Sequence, residues 1–318
     1  MAESLKGNRA LLEQIVKDKI QLDPAKDALN LKVRTKVVKI VIETAKEKSP
    51  EFKEVFYGKY DGGSYFDKLQ VKSSIDFDDN IIIKNPPTSW KLTDLADDQT
   101  KPNFAFMGMP EPGAKSWQKP GLSDKRAKIW KSLVVKNRMS KYVISPKKVY
   151  EMLHTAVTKS LSALNHKVTV DNILYKVTRR DGGPVVLNIE GPSVKSSDKV
   201  KFKVDLVPAF KLEMKHKNID AGLKERVDHV MKVANTDTNK CQTFMAIAIH
   251  DTKMFELDFH DVERALLKSR NGCIYDVIML IKHIRNSKGG NLTKLWSHLL
   301  KVSCRLGDIV LTFGCRLR

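Results

Sequence analysis

The chain has 318 residues and an ordinary 42% of hydrophobic side chains, enough for a sizeable core in one large domain or two lobes, which argues against wholesale disorder. Charges scattered through the first twenty residues exclude a secretory signal, and no stretch of about 18 uncharged apolar residues exists to span a membrane, so a cytoplasmic protein is expected. Lys+Arg 57 against Asp+Glu 37 gives +20, which points to a polyanionic partner, nucleic acid or anionic membrane, with a merely solubilising surface as the equal alternative.

In chain order, residues 5–47 read as helix, with Val33, Val37, Ile40, Val41 and Thr44 on one face and Lys32, Lys36, Lys39 and Lys46 on another. Such a helix suits a phosphate backbone, and equally a solvated face. From Gly62 the period changes to two: Leu69 and Val71, then Ile75 and Phe77, then Ile81-Ile82-Ile83, which predict strands of a mixed sheet. Half of the 12 prolines fall within residues 85–122, which therefore read as a long surface loop over the site. Residues 123–164 read as helical, with Ser145-Pro146 as cap and first-turn proline. Val168–Arg180 and Val185–Glu190 alternate around Asp181-Gly182-Gly183, a hairpin, and a third strand follows at Val200–Val207. Beyond residue 212 helices are expected at 219–234, 259–270, 273–286 and 291–306, with a short strand pair near 243–258. The implied division is a core over 1–212 and a mostly helical lobe over 213–318.

The chemistry concentrates in Gly62-Gly63-Ser64 and Asp76-Phe77-Asp78. Alternate residues of a strand share a face, so Asp76 and Asp78 project together while Phe77 packs behind them. Two neighbouring carboxylates repel, and a hard divalent cation relieves the repulsion, which makes Mg²⁺ or Mn²⁺ the expected cofactor. A third acid is needed to hold two ions about 4 Å apart for phosphoryl transfer. Asp205 is the candidate, because Val200, Phe202, Val204 and Leu206 form the buried face of its strand and leave it on the other. Glycines allow a backbone to approach a triphosphate, and Ser64 adds donors. Together these elements point to nucleotidyl transfer. The cysteines Cys241, Cys273, Cys304 and Cys315 form no CxxC pair, so neither zinc nor a disulfide framework is expected, and His216, His229 and His250 read as structural.

The run from Gly63-Ser64-Tyr65-Phe66 to Asp76-Phe77-Asp78 resembles the motif of polymerase-β-like nucleotidyltransferases, in the form found in cGAS and the cGAS-like receptors. Lys203–Phe210, the preceding Arg179-Arg180-Asp181-Gly182-Gly183-Pro184 and the stretch Phe255–Glu263 resemble further parts of that family, and the likeness covers about residues 60 to 305. The resemblance implies an α+β fold: a polymerase-β-like core of mixed sheet and helices, with a helical C-terminal lobe cut short relative to the family. It implies that Asp76, Asp78 and Asp205 hold two metal ions and that Asp205 helps deprotonate the attacking hydroxyl. Nucleotide contacts are implied for Gly63, Ser64, Glu256, Asp258, Glu263, Lys282, Ser297, His298 and Lys301.

The activity implied is formation of a cyclic dinucleotide such as cyclic GMP-AMP from ATP and GTP in innate immune signalling. Residues 268–273 run on without the His/Cys zinc insertion of cGAS, which favours double-stranded RNA over DNA as activating ligand. Its contacts would be Lys32, Lys36, Lys39, Lys268 and Arg270, with a dimer forming on the nucleic acid. Glu256 stands where the family has an arginine, and His298 where it has a stacking tyrosine, which leaves base order and linkage open. A non-catalytic regulatory relative and an oligoadenylate-type synthase of linear products are the alternative readings.

Overall fold

The structure is a computed structural model that describes residues 10–11, 13–20, 23–62, 66, 76–93, 104–118, 120–180, 184–193, 199–213, 217–225, 228, 243–249, 253–261, 264, 278–281 and 283. The expected helix over 5–47 is two helices. A first segment ends in a π turn, Val16–Ile20, and α1, Pro24–Lys48, starts afresh. The break lies at Asp23, whose backbone is extended (φ −62, ψ 121) and whose Oδ1 accepts from the amides of Ala25 and Lys26 at 2.8 and 3.1 Å. An Asp cap followed by proline in the first turn is a start signal strong enough to end the preceding helix. A short α2, Pro50–Val55, leads into β1, Phe56–Gly62, a strand the periodicity did not show.

β1 pairs antiparallel with β2, Asp76–Ile83, and β2 lies parallel to β10, Lys199–Glu213. β9, Val185–Pro192, pairs with β10 over its first half, and β11, Thr243–Ala248, pairs with it over the last five residues. A strand has two hydrogen-bonding edges, and β2 overlaps both of these partners. β9 and β11 therefore share the opposite edge of β10 in succession, and β10 is the trunk of the sheet. The strands expected around Leu69, Val71 and Ile75, and the turn Asp181-Gly182-Gly183, lie outside the described residues.

The segment over 85–122 corrects the expectation of a surface loop. It contains β3, Lys91–Thr93, and β4, Phe104–Gly108, which pair with each other, and β4 continues the sheet beside β12, Phe255–Asp258. Trp90, Leu92, Ala105, Met107 and Trp117 from this segment are buried in the main core. The prolines bound the short strands and do not prevent burial between them.

The expected helical stretch 123–164 is likewise interrupted. α3, Asp124–Leu133, gives way to a hairpin of β5, Val134–Lys136, and β6, Tyr142–Ile144, before α4, Pro146–Ala163. Ser145 caps α4 as expected, accepting from the Lys148 amide at 3.3 Å. The single strand read over 168–180 is a hairpin of β7, Lys167–Val170, and β8, Ile173–Arg179. Asp171 and Asn172 turn it with φ of 50° and 66°, the two left-handed residues of a type I′ turn, which Asp and Asn tolerate.

α1 and α4 cover one face of the sheet. Val33, Val37, Val38 and Val41 of α1 meet Val149, Leu153 and Val157 of α4 over Phe77, Ile81, Val204, Leu206 and Phe210 in one core. Of the lobe expected over 213–318, the strand pair at β11 and β12 is present as a continuation of the sheet, and residues 221–225 and 278–281 are helical. The remaining helical residues expected there lie mostly outside the described residues, and the helix over 291–306 lies wholly outside them.

Leu92 tests the reassigned segment. It is fully buried, so Leu92→Ala should lower unfolding free energy by about 2–5 kcal/mol in a denaturant titration, where a surface-loop residue would change it by under about 0.5.

Candidate active site

The register of three strands builds the site. In the parallel pair Asp78 faces Asp205 and Asp76 faces Lys203, while Gly62 of β1 faces Asp78 from the other side. Cross-strand partners share a face of a sheet. Asp76, Asp78 and Asp205 therefore lie together on the face away from α1 and α4. Phe77 is fully buried on the opposite face, edge-on to Phe202 with ring centroids 5.3 Å apart. The alternation foreseen for Val200, Phe202, Val204 and Leu206 is present, all four being buried.

Asp205 feels this placement electrostatically. Its carboxyl is pushed up to about 6, first by burial and then by the charge of Asp76, against the opposing pull of Lys203 and Arg180. Behind it, Tyr150 of α4 accepts from the Val185 amide at 2.9 Å, tying the start of β9 to the helix. Burial, with the Asp205 charge adding to it, holds that phenol at about 12. Among the described residues no three His, Cys, Asp or Glu side chains lie close enough to share one metal ion. An all-oxygen donor set with a carboxyl destabilised by its neighbour fits a hard divalent cation by charge and by ligand type.

The same face continues across the sheet. Lys211 of β10 faces Met245 of β11, and Met245 and Ile247 face Asp258 and Glu256 of β12. Glu256 and Asp258 thus share the face of the three acids, two strands from β10. Ile82, Ala209 and Met245 form a small apolar floor between them, with Tyr60 and Ile247 packed on it.

Sequence reading missed the cluster at the edge of this floor. Tyr60 of β1 donates to Asp261 Oδ1 at 2.6 Å, and Thr243 donates to Asp261 Oδ2 at 3.1 Å. Burial and the Asp261 carboxylate raise the Tyr60 phenol above its ordinary range. His260 stacks on Tyr60 at 6.3 Å with its Nε2 3.1 Å from Asp258 Oδ2. A Cβ on Gly62 would come within 2.9 Å of Asn80 Nδ2 and 3.0 Å of His260 Nε2. Glycine here lets the β12 side approach Asp78. The available signal was Gly62 itself, since a glycine in a strand often marks close approach of a neighbouring chain segment.

On the far side of the molecule, Lys32, Lys36 and Lys39 are exposed along α1 as expected. Lys32 and Lys36 both form ion pairs with Asp171 at the β7–β8 turn, the first at 2.8 Å. Hydrogen bonding to these lysines lowers the Asp171 carboxyl. Gly63, Ser64, Glu263, Lys268, Arg270, Lys282, Ser297, His298 and Lys301 lie outside the described residues.

A mixed sheet with helices on one face and three acids in register on the other agrees with a nucleotidyltransferase core, and a family match shows it. The Mab-21 protein nucleotidyltransferase domain matches residues 65–269, and the chain belongs to that family. A cyclic GMP-AMP synthase-like receptor of Aethina tumida is 24% identical over 274 residues, which cover 83% of this chain and 62% of that relative. The chain thus spans about three fifths of the length of this curated relative. No helix among the described residues is long and apolar enough to cross a membrane.

The raised carboxyl of Asp205 makes a stability prediction. With a folded value of about 6 against 3.8, the charged form is penalised in the native state, so the penalty is absent below pH 4, grows between pH 4 and 6 and is complete above. Asp205→Asn should therefore stabilise the metal-free protein by roughly 1–3 kcal/mol at pH 8, with the gain vanishing towards pH 4. Millimolar Mn²⁺ should raise the melting temperature of the wild type and leave that of Asp205→Asn unchanged.

Proposed function

We propose that the chain is a metal-dependent nucleotidyltransferase that joins ATP and GTP into a cyclic dinucleotide such as cyclic GMP-AMP when double-stranded RNA binds it. The observation that supports this reading most is the register of Asp78 beside Asp205, with Asp76 on the same face. The name of the Aethina tumida relative agrees with it. Action in the cytoplasm in innate immune signalling, and a dimer on RNA, are parts of the same proposal.

Asp76, Asp78 and Asp205 would hold two Mg²⁺ or Mn²⁺ ions. When bound, such ions supply Lewis-acid stabilisation of charge on the transferred phosphoryl group. A ribose hydroxyl of one nucleotide attacks the α-phosphorus of the other; the new P–O bond forms as the bond to pyrophosphate breaks. Asp205 would accept the hydroxyl proton as a hydrogen-bonding base beside the attacking oxygen. The linear product then undergoes the same step from its own free hydroxyl and closes the ring. Glu256 and Asp258, on the same face, offer acceptors to base N–H groups. Gly63 and Ser64, with Lys282 and Lys301, would bind triphosphate; Glu263, Ser297 and His298 would complete the nucleotide contacts.

Chromatography of labelled ATP and GTP with Mn²⁺ or Mg²⁺ tests the reading, in lanes without nucleic acid, with double-stranded RNA and with double-stranded DNA. A phosphatase-resistant product is expected in the RNA lane only, and Asp76→Asn/Asp78→Asn should lower it by at least a hundredfold. Phosphatase-sensitive ladders would indicate a linear polymer synthase. No product in any lane would overturn catalysis in favour of a regulatory relative.

RNA contact through α1 makes a separate prediction. Asp171 competes with phosphate for Lys32 and Lys36, and an exposed ion pair of this kind is weak enough to exchange. Asp171→Asn should tighten RNA binding, whereas Lys32→Ala/Lys36→Ala should weaken it and flatten the log–log salt slope by about 1–2. An unchanged slope would remove these lysines from the contact.

A further inference from the structure

Directly behind the acids, on the opposite face of β2, lies a second charged cluster to which the reaction assigns no part. Arg34 of α1 is 1% exposed and Asp79 of β2 is fully buried. The Arg34 Nη2 donates to Asp79 Oδ1 and, at 2.7 Å, to Asp61 Oδ1 of β1. Lys59 Nζ reaches Asp79 Oδ1 at 3.0 Å and also pairs with Asp61. The guanidinium carbon stands 5.5 Å from the centre of the Phe77 ring and 4.7 Å from that of Phe66. One side chain thus touches the residue between the two acids, the residue after the second, and a residue two positions beyond Ser64.

The fold alone gives little reason for this arrangement. Arg34 projects from the face of α1 that otherwise carries Val33, Val37, Val38 and Val41 into the core. A buried ion pair returns little more than the desolvation it costs, and an apolar pair of similar volume would hold helix to strand as well. What the guanidinium adds beyond the charge of Lys59 is shape: its Nη2 meets both carboxylates while the planar group lies against the rings of Phe66 and Phe77 at once. A restraint at positions 77 and 79 adds to the pairing of β2 with β1 and β10 in resisting roll of the strand about its axis, the motion that would separate the carboxylates at 76 and 78 from Asp205.

We propose that Arg34 is a positioning residue for the active site. Its guanidinium fixes the roll of β2 and the placement of Phe66, and so sets Asp76 and Asp78 against Asp205 from behind. This rests on the nucleotidyl-transfer reading of those acids. Arg34 does not touch substrate; it acts through Asp79, Asp61, Phe77 and Phe66.

The test uses the full chain in three forms: wild type, Arg34→Lys, and the double variant Arg34→Met/Asp79→Leu, which removes both charges and leaves Lys59 with Asp61. Melting temperature, Mn²⁺ affinity with its electron paramagnetic resonance spectrum, and amide hydrogen exchange at residues 76–79 are measured on each, and kcat and KM where product forms. The double variant should melt within about 5 °C of wild type, yet exchange its 76–79 amides at least tenfold faster and bind Mn²⁺ at least tenfold more weakly with a broadened spectrum. Its kcat should fall tenfold or more with KM within threefold. Arg34→Lys, which keeps the charge and loses the planar group against Phe66 and Phe77, should show the same changes in smaller degree.

Wild-type exchange and Mn²⁺ affinity in a folded double variant would overturn the proposal and leave Arg34 as a structural ion pair. If the double variant does not fold, Arg34→Lys decides by the same two readouts. A wild type that binds no Mn²⁺ and forms no product would defeat the metal-site reading, and the exchange rates at 76–79 would still decide whether Arg34 positions β2.

Discussion

The parallel pairing of β2 with β10 is the constraint from which the rest of the site follows. A parallel pair admits one register, because a slip by one residue would turn Phe77, Ile81 and Ile83 out of the core and bring Asp76 and Asp78 into it. Once that register is set, Asp205 must stand beside Asp78, and its carboxyl must feel Asp76. β10 can serve as this partner because it is long: its 15 residues carry β9 and β11 in succession on the edge opposite β2. The hydrophobic core therefore orders the carboxylates, and burial beside Asp76 raises the carboxyl of Asp205.

Around this trunk the two faces of the sheet divide their work. Among the described residues, the face under α1 and α4 is mostly apolar and carries the Arg34–Asp79–Asp61–Lys59 cluster. The other face carries acids at one end, a small floor of Ile82, Ala209 and Met245, and then Glu256 and Asp258. Gly62, Tyr60 and His260 close its margin, where the absence of a side chain at Gly62 brings β12's continuation near Asp78. The basic surface of α1 is separate from this face, and Asp171 at a type I′ turn already balances part of its charge.

Much of this was legible in the residues. The alternation over Val200–Val207 of β10, with Asp205 on the less buried side, survives as read, and so does the pairing of Asp76 with Asp78 on one face. β1 was not legible, because Phe56–Gly62 has two glycines, a lysine and an aspartate, and with Gly62 alone buried no apolar alternation marks it. The proline-rich segment misled for the opposite reason: prolines mark where regular backbone stops, and Trp90, Leu92 and Met107 between them are buried by contacts distant in sequence. Asp23-Pro24 and Asp171-Asn172 were signals present in the sequence that a longer periodicity overrode.

The sequence by itself determined which acids share a strand face and which helix carries the lysines. Those properties are local, since side-chain alternation and helical spacing need no partner. Only the tertiary structure decided which acid meets which, that Glu256 and Asp258 share their face, and that a single arginine of α1 reaches behind Phe77. Contacts of this kind depend on register and on strand order, and both are settled by the burial of residues far apart along the chain.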